Sequence, residues 1–521
     1  MGNRRSSRWF CVSCRVMEPV AYPLRKGLHE RKFPRKSTGS WIFLPPTGKF
    51  CRVKSAPVLA LDLGTSSVRA ALFDPRGKRL PGTFAQRTYT LRTAADGTAE
   101  LDPFELLRQA KACLKTAAAG WHSISGVGVS CFWHSLLGTD EDGNPLTPIY
   151  TWADSRCRED AARLRAEFSE QDVHEETGCM LRSSFWPAKL RWIKRTDRAR
   201  FRKVRYWMSP AEWVQWKVAG RATCAIGMAT GTGLFDPTKL DWSDRMLEAC
   251  DFSADRMLPV TDEPTLWKGV PWFPAIGDGA ASNLGSGATR PGFGAINVGT
   301  SAALRIMKKG PVAKAPFGLF AYRVDASRYL VGGAVSNAGN LHAWCLRELK
   351  LSDDPAEIEK ALALRPQATH GLTVLPFWSA ERAPSWDEAA QGTIVGLRHD
   401  TTAIDLLQAI NEGFYLRLAT IAEMIAGRRQ PKWILGGGIL KSKSAMRRLA
   451  NVIGSPLYAN PEAEASLRGG AIFALEKLGA PIEEQKLGNP ILPSPVLQKL
   501  YLDERRKQTQ LEALMARGRE R

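Results

Sequence analysis

The sequence predicts an α/β protein built from two similar domains, and three observations carry that reading. A short motif occurs twice, at 59–68 and at 295–304: an apolar strand enters a Gly-Thr-Ser turn and an apolar strand leaves it. At 521 residues the chain exceeds what one ordinary core organises. After the first copy, short apolar runs alternate with helix-like periodicity, the pattern of strand–helix units layered on a sheet.

The elements follow in order. Residues 58–62 and 68–74 read as strands joined by the turn 64–67, and Asp74-Pro75-Arg76-Gly77-Lys78 is a second turn, so a meander is expected. Asp102 and Pro103 stand in the order of an N-cap and a first helical residue. The helix they open has Leu106, Leu107, Ala110, Cys113, Leu114 and Ala117 on its apolar face, and Gly120 is expected to close it. Residues 127–130 read as a short buried strand. A long helix is expected over 401–426, with Leu406, Leu407, Ile410, Phe414, Leu418, Ile421 and Ile425 inward and Gly427 past its end. A strand at 433–435 leads into Gly436-Gly437-Gly438, and helices are expected near 443–453 and 463–478. The boundaries are a basic extension at 1–56, a first domain at 57–289, a second at 290–482 with a hinge near 288–292, and a peripheral tail at 483–521. Leu511, Leu514 and Met515 suit a weak amphipathic helix in that tail.

Composition removes several classes. With 44% hydrophobic and 24% charged residues the chain reads as soluble and globular. No run of about 18 apolar residues exists, so no transmembrane helix or membrane partner is expected. No secretory apolar segment is present either. The ten cysteines are scattered. Only Cys11 and Cys14 have zinc or redox spacing, with no second pair to answer them. The others read as buried thiols of a reducing, cytoplasmic compartment. The net charge is +21, and residues 1–56, with 13 basic and 2 acidic residues, supply +11 of it. A nucleic-acid-binding arm and a transit-like peptide compete there with a disordered extension or an upstream start. The last is the reading adopted, and nucleic acid is not an expected partner.

The repeated turn carries the chemistry. Gly and small hydroxyl residues let backbone N–H and side-chain O–H groups close around phosphate oxygens. Two such turns far apart in sequence suggest one nucleotide held between two similar domains. Asp278 lies between two glycines shortly before the second copy, where backbone and substrate can approach closely. That combination points to a phosphotransferase. No GxxxxGK[ST] occurs and no GxGxxG follows a strand, so P-loop and dinucleotide-binding folds lack their fingerprints.

Taken together, Asp62-Leu63-Gly64-Thr65-Ser66-Ser67, Asn297-Val298-Gly299-Thr300-Ser301, Ile434-Leu435-Gly436-Gly437-Gly438 with Ser442-Lys443-Ser444, and Leu375-Pro376-Phe377 with Gly392 and Gly396 make a distinctive set. Between the last two lies Ser379-Ala380-Glu381-Arg382-Ala383-Pro384. The chain resembles the FGGY carbohydrate kinases of the actin-like ATPase superfamily over about residues 57–480. The resemblance implies two actin-like (ribonuclease H-like) ATPase domains with an interdomain cleft, and ATP and Mg²⁺ as cofactors. It implies phosphate contacts from Gly64, Thr65, Ser66, Ser67, Gly299, Thr300 and Ser301. It implies adenosine contacts from Gly436, Gly437, Gly438 and Ser442, and a metal role for Asp62, whose competing role is a strand-end cap. Asp278 is the candidate catalytic base, because a sugar hydroxyl is a poor nucleophile until its proton is accepted. An aspartate in an ordinary turn is the competing reading.

Sugar choice rests on other strings. Trp133-His134-Ser135-Leu136-Leu137, Thr151-Trp152-Ala153-Asp154-Ser155-Arg156, Trp186-Pro187-Ala188-Lys189 and the segment 277–284 are similar to the gluconate kinase branch. Xylulose kinases share the outline with Met-His-Gly and Trp-Asn-Asp, and Trp133 stands where many relatives carry Met. His134, Asp154, Arg156 and Asp278 are the expected sugar readers, with Arg156 on a carboxylate. Two readings compete with these roles: a satisfied strand-end histidine at His134, and a structural ion pair between Arg156 and Asp154. Lys189 is a further candidate anion contact, and Trp152, Trp186 and Trp378 are candidates for stacking on a sugar face. The expected activity is ATP-dependent phosphorylation of a sugar or sugar acid, gluconate to 6-phosphogluconate foremost. A xylulose-type pentulose kinase and a non-catalytic sugar or nucleotide sensor are the alternatives, and a homodimer is a candidate assembly.

Overall fold

The computed structural model describes residues 56–427 and 429–519. The basic extension, apart from Ala56, and the Cys11/Cys14 pair lie outside the described residues.

The strand Val58–Leu63 is apolar at five of its six positions and buried along its whole length, as a strand covered on both faces must be. It pairs antiparallel with Ser67–Phe73 across the first Gly-Thr-Ser turn and parallel with Gly126–Cys131. Ala85–Thr88 extends the sheet on one side, and Val270–Trp272 with Thr265–Trp267 extends it on the other. The short strand Ile276–Gly277 runs parallel beside the end of Gly126–Cys131 and delivers Asp278 to the same edge.

The second sheet repeats this plan. Phe293–Val298 pairs antiparallel with Ala302–Lys309 across the second Gly-Thr-Ser turn and parallel with Lys432–Gly437. Arg328–Val335 and Phe320–Arg323 continue it on one side and Leu457–Ala459 on the other. In this superposition of plans Asp62 and Asn297 occupy the same place, the second-to-last residue of the strand before the turn.

The helices follow from their caps. The Asp102 side chain accepts from the Phe104 N–H, and the helix runs Pro103–Ala117. It ends at Ala117, and the turn 118–120 that follows finishes at Gly120 with φ +76°. The Thr402 and Asp405 side chains form a capping box that opens Ala403–Ala426, and Gly427 follows its end. Lys443–Ile453 has the expected bounds.

Two placements differ from the sequence reading. The helix Ala465–Lys477 follows the second sheet in sequence, yet Leu467, Ala471, Ile472, Phe473, Ala474 and Leu475 belong to the core of the first sheet. It crosses the helix Asp278–Ser286 at backbone contact. A Cβ on Gly469 would lie 1.8 Å from the Ala281 carbonyl oxygen, and one on Gly285 would lie 1.8 Å from that of Ala465. Glycine at both positions is what lets the helices meet. The tail also differs: Pro495–Arg519 is a 25-residue helix that is not peripheral. Tyr501 is buried in the second core, the Gln508 amide donates to the carbonyls of Val374 and Gly413, and Glu512 pairs with buried Arg417 at 2.6 Å. Its apolar positions are too sparse for periodicity to reveal this, since single polar contacts dock it.

Among the described residues no helix is long and apolar enough to cross a membrane, and the cysteines there are free and buried.

Candidate active site

Each Gly-Thr-Ser turn is closed by the N–H of its glycine, the first over four residues and the second over three. The Gly64 N–H donates to the Ser67 carbonyl at 3.0 Å, and the Gly299 N–H to the Ser301 carbonyl at 2.9 Å. Around the first turn, the Tyr89 hydroxyl donates to the Gly64 carbonyl and the Trp152 indole to the Thr65 hydroxyl at 3.2 Å. Ser67 is buried at the start of its strand, and Ser66 is exposed. Around the second, the N–H groups of Gly339 and Asn340 donate to the carbonyls of Gly299 and Thr300. Thr300 is exposed and Ser301 half-buried. The hydroxyls of Ser66 and Thr300 have no protein partner among the described residues, so both are free to donate to a phosphate.

A cavity of about 280 Å³ opens beside the second turn. Asn297, Gly299, Gly436 and Gly437 line one wall, Ser282 and Ser286 of the Asp278 helix another, and 462–466 a third, with Arg69 reaching in from the first sheet. Of the three glycines at 436–438, only Gly437 is required by the protein's own packing. Its φ is +91°, and a Cβ there would lie 2.3 Å from the Val298 carbonyl oxygen. A Cβ on Gly436 would make only ordinary contacts within the protein, so the bare backbone there shapes the cavity wall. Ser442 is placed elsewhere. Its hydroxyl donates to Glu359 at 2.6 Å and accepts from the Ala445 N–H, capping the helix Lys443–Ile453.

Asp62 and Asp278 belong to the first half and are tied to residues of the cavity wall, Arg69 and Ser466. Asp62 is buried and paired with Arg69 at 3.4 Å, and Arg69 reaches Glu464 at the same distance. Burial, with the charges of Asp278 and Glu464 adding to it, pushes the Asp62 carboxyl up to about 6 although Arg69 pulls the other way. No group of three His, Cys, Asp or Glu residues among those described could cage a metal unaided. A single crowded carboxylate of this kind suits an ion that takes one or two carboxylates and completes its shell with other oxygen ligands and water, as Mg²⁺ does.

Asp278 is the first residue of the helix Asp278–Ser286, not the middle of a free turn. Its carboxylate accepts from the Gly279 N–H at 2.7 Å. Burial raises its pKa while Arg305 and Arg382 moderate the rise, so it is a stronger base than an exposed aspartate. The Ser466 hydroxyl donates to its carbonyl at 3.4 Å, tying the base to the cavity wall. The flanking glycines serve a different purpose from the one expected. A Cβ on Gly277 would lie 1.8 Å from the Trp133 indole, and one on Gly279 2.6 Å from Arg305 Nε and 2.7 Å from the indole, so within the protein they make room for Trp133 and Arg305.

His134 stands in an aromatic corner. His134, at φ +64°, donates through Nδ1–H to the Gly231 carbonyl at 2.5 Å. Phe185 and Tyr322 meet its ring edge-on at 4.8 and 5.6 Å. Burial pushes His134 down to about 4, so it is neutral at pH 7. With Nδ1–H turned to the carbonyl, Nε2 remains as an acceptor for a hydroxyl.

Asp154 and Arg156 are not open to substrate. Arg156 bonds Asp154 and Glu100, each at 2.5 Å, and its guanidinium lies over Trp192 at 4.5 Å. Asp154 also accepts from the Ala99 N–H. The structural ion pair weighed from the sequence is the arrangement present. Lys189 is buried and donates to the carbonyls of Ser183 and Ser184, so it too is occupied. Trp186 is fully buried, and Trp378 packs on Trp344 and Gly392. Of the three stacking candidates only Trp152 stands at the site.

The sequence reading missed Arg305 and Arg382. Arg305 Nε and Nη1 and Arg382 Nε are buried without partners. Arg382 lies over Trp152 at 5.3 Å and donates to the Val335 carbonyl. The available signal was an arginine inside the otherwise apolar strand just after the second turn, and another inside the 379–384 segment.

Two sheets of one plan, two hydroxyl-bearing turns, a cavity against the second and a buried carboxylate at its edge form the architecture of a phosphotransferase. The chain belongs to the FGGY family of carbohydrate kinases: the family's N-terminal domain matches residues 57–265 and its C-terminal domain residues 294–477. It is 26% identical to a gluconokinase of Bacillus subtilis (strain 168) over 458 residues, covering 81% of this chain and 88% of that one. It is equally identical, at 26% over 428 residues, to a xylulose kinase of Escherichia coli (strain K12), covering 77% and 85%. Its fold matches a crystal structure of gluconate kinase from Lactobacillus acidophilus with TM-score 0.81 and 23% identity, over 88% of this chain and 98% of that one.

Proposed function

We propose that this carbohydrate kinase transfers the γ-phosphoryl of ATP to a terminal hydroxyl of a sugar acid, gluconate foremost, giving 6-phosphogluconate and ADP in the cytoplasm. The observation that supports this most is the cavity beside the second hydroxyl turn, whose lining residues Arg69 and Ser466 bond Asp62 and Asp278. ATP would lie with its phosphates between Gly64–Ser67 and Gly299–Ser301 and its nucleoside along Gly436–Gly438. The acceptor oxygen forms the new P–O bond as the bond to the ADP oxygen breaks, and its proton passes to the Asp278 carboxylate. Such proton acceptance supplies roughly 10²–10⁴-fold. Mg²⁺ held near Asp62 would neutralise charge on the phosphates. Trp133, Tyr322 and Phe185 exclude water around the acceptor, which favours transfer over ATP hydrolysis. His134 Nε2 accepts from an acceptor hydroxyl, and Asp154 with Arg156 buttresses the pocket from behind.

A neutral ketose is the second reading, favoured by the equal 26% identity to the xylulose kinase. A coupled ADP-release assay with MgATP against gluconate, other sugar acids, xylulose, ribulose, glycerol and a no-sugar blank tests both. Release that depends on gluconate or a related acid supports the first reading. Preference for a ketose supports the second, and release that no sugar stimulates contradicts both.

A further inference from the structure

We propose that Arg305 and Arg382 together form the subsite that takes the carboxylate of the acceptor. This rests on the reading of the site as a kinase site for a sugar acid, and it moves the carboxylate contact from Arg156 to two residues on the other half of the molecule.

The argument begins with partners. Most buried or half-buried arginines around the site are satisfied. Arg69 has carboxylates of Asp62 and Glu464 at 3.4 Å although its Nε makes no hydrogen bond among the described residues, Arg156 has Asp154 and Glu100, and Arg417 has Glu381 and Glu512. Arg305 and Arg382 differ. Arg305 Nε and Nη1 are sealed from solvent with nothing to donate to, and so is Arg382 Nε. The one hydrogen bond of Arg382 goes to the Val335 carbonyl, which carries no formal charge. Each arginine feels the Asp278 charge without closing an ion pair on it, and Arg382 also feels the repulsion of Arg305. Two cations facing one carboxylate leave a positive charge over. A desolvated cation without a counter-charge is costly to hold, and an anion that brings two acceptor oxygens removes that cost.

Position decides which anion. Neither arginine lines the cavity beside the second turn, whereas Arg69 does. Arg305 instead packs where a Cβ on Gly279 would be, with its Nε 2.6 Å from that point and Trp133 on the other side. Arg305 meets Trp133 at Gly279, Arg382 lies over Trp152 at 5.3 Å, and both interact electrostatically with Tyr322, which stands 5.1 Å from Trp133 and 5.6 Å from His134. They therefore belong to the aromatic corner where the acceptor lies. A planar guanidinium matches a carboxylate through two parallel N–H bonds.

The test is equilibrium binding of gluconate without nucleotide, followed by titration calorimetry, to the full chain and to Arg305→Met and Arg382→Met. Steady-state kinetics with gluconate and with glucitol, which replaces the carboxylate by CH₂OH, accompany it. The expected result is about 10- to 100-fold weaker gluconate binding in each variant, partial recovery in Arg305→Lys and Arg382→Lys, an unchanged KM for MgATP, and loss of the preference for gluconate over glucitol. Thermal unfolding of the Lys variants, which keep the charge and most of the volume, guards against a folding defect. Unchanged gluconate binding in both Met variants would overturn the proposal while leaving the kinase reading intact. An equal fall in kcat on every acceptor with unchanged gluconate binding would also overturn it, placing the arginines on the transferred phosphoryl. A protein that turns over only a ketose yet binds gluconate through these arginines would sink the substrate reading and keep this one.

Discussion

The Trp133 indole stands where a side chain on Gly277 would be: a Cβ there would lie 1.8 Å from Cε2 and 2.2 Å from Cζ2. Gly231 and Gly279 leave room for the same ring, and its Nε1 donates to the Gly227 carbonyl at 2.8 Å. The ring therefore fixes where Asp278 begins its helix. Gly277→Ala is expected to displace the ring and the base together. Overpacking of this kind costs about 1–3 kcal/mol. Denaturant unfolding should show that loss, and kcat should fall more than the KM for MgATP rises.

Asp278→Asn keeps the shape and the Gly279 contact but cannot accept a proton. Turnover should drop by roughly 10²–10⁴-fold with nucleotide affinity retained. Single-turnover rates and ADP binding on the same preparation check both halves, and near-normal turnover would exclude Asp278 as the base.

Arg156 separates a structural role from a substrate role. Among the described residues, Arg156→Met takes the only cation paired with buried Asp154, while Glu100 keeps Arg92 at 2.9 Å. Removing one partner of a buried pair costs about 3–5 kcal/mol, reduced here because Arg156 keeps 19% of its side chain exposed. A lowered Tm with an unchanged KM for gluconate is expected. A KM effect without loss of stability would restore Arg156 as a substrate contact.

The crossing of Asp278–Ser286 and Ala465–Lys477 has no slack at Gly469. Gly469→Ala must push backbone against backbone, which no rotamer change relieves, so the cost should reach or exceed about 3 kcal/mol. Differential scanning calorimetry measures it, and a neutral substitution would mean the helices separate readily.

The pH dependence follows from Asp62. Burial and the nearby charges of Asp278 and Glu464 raise its pKa from 3.8 to about 6, with Arg69 opposing. A raised carboxylate holds its proton in the fold over a pH range where the unfolded chain has lost it. Its contribution to stability is therefore greatest below about 4 and falls as pH rises to about 6. Metal affinity runs the other way, because the proton competes with the cation. The Mg²⁺ concentration for half-maximal rate should rise as pH falls below about 6, and Asp62→Asn should remove that dependence. His134, pushed down to about 4, should add no titration of gluconate binding between pH 5 and 8.

What the sequence determined by itself is what local rules encode. Short continuous apolar runs, a cap such as Asp102-Pro103 or Thr402, and the repeated Gly-Thr-Ser turn each act over a few residues. So the strands, the helix Ala403–Ala426 and the doubled plan were legible. Tertiary structure decided which charges are spent. Arg156 and Arg305 are the same residue type in equally suggestive contexts. Only the folded chain closes Asp154 and Glu100 around the first and leaves the second without a counter-ion. It also decided that Ala465–Lys477 completes the first core, that Pro495–Arg519 docks through Tyr501 and Gln508, and that Gly277 and Gly279 accommodate an indole. Desolvation and close backbone approach depend on residues far apart in the chain, and no local pattern records them.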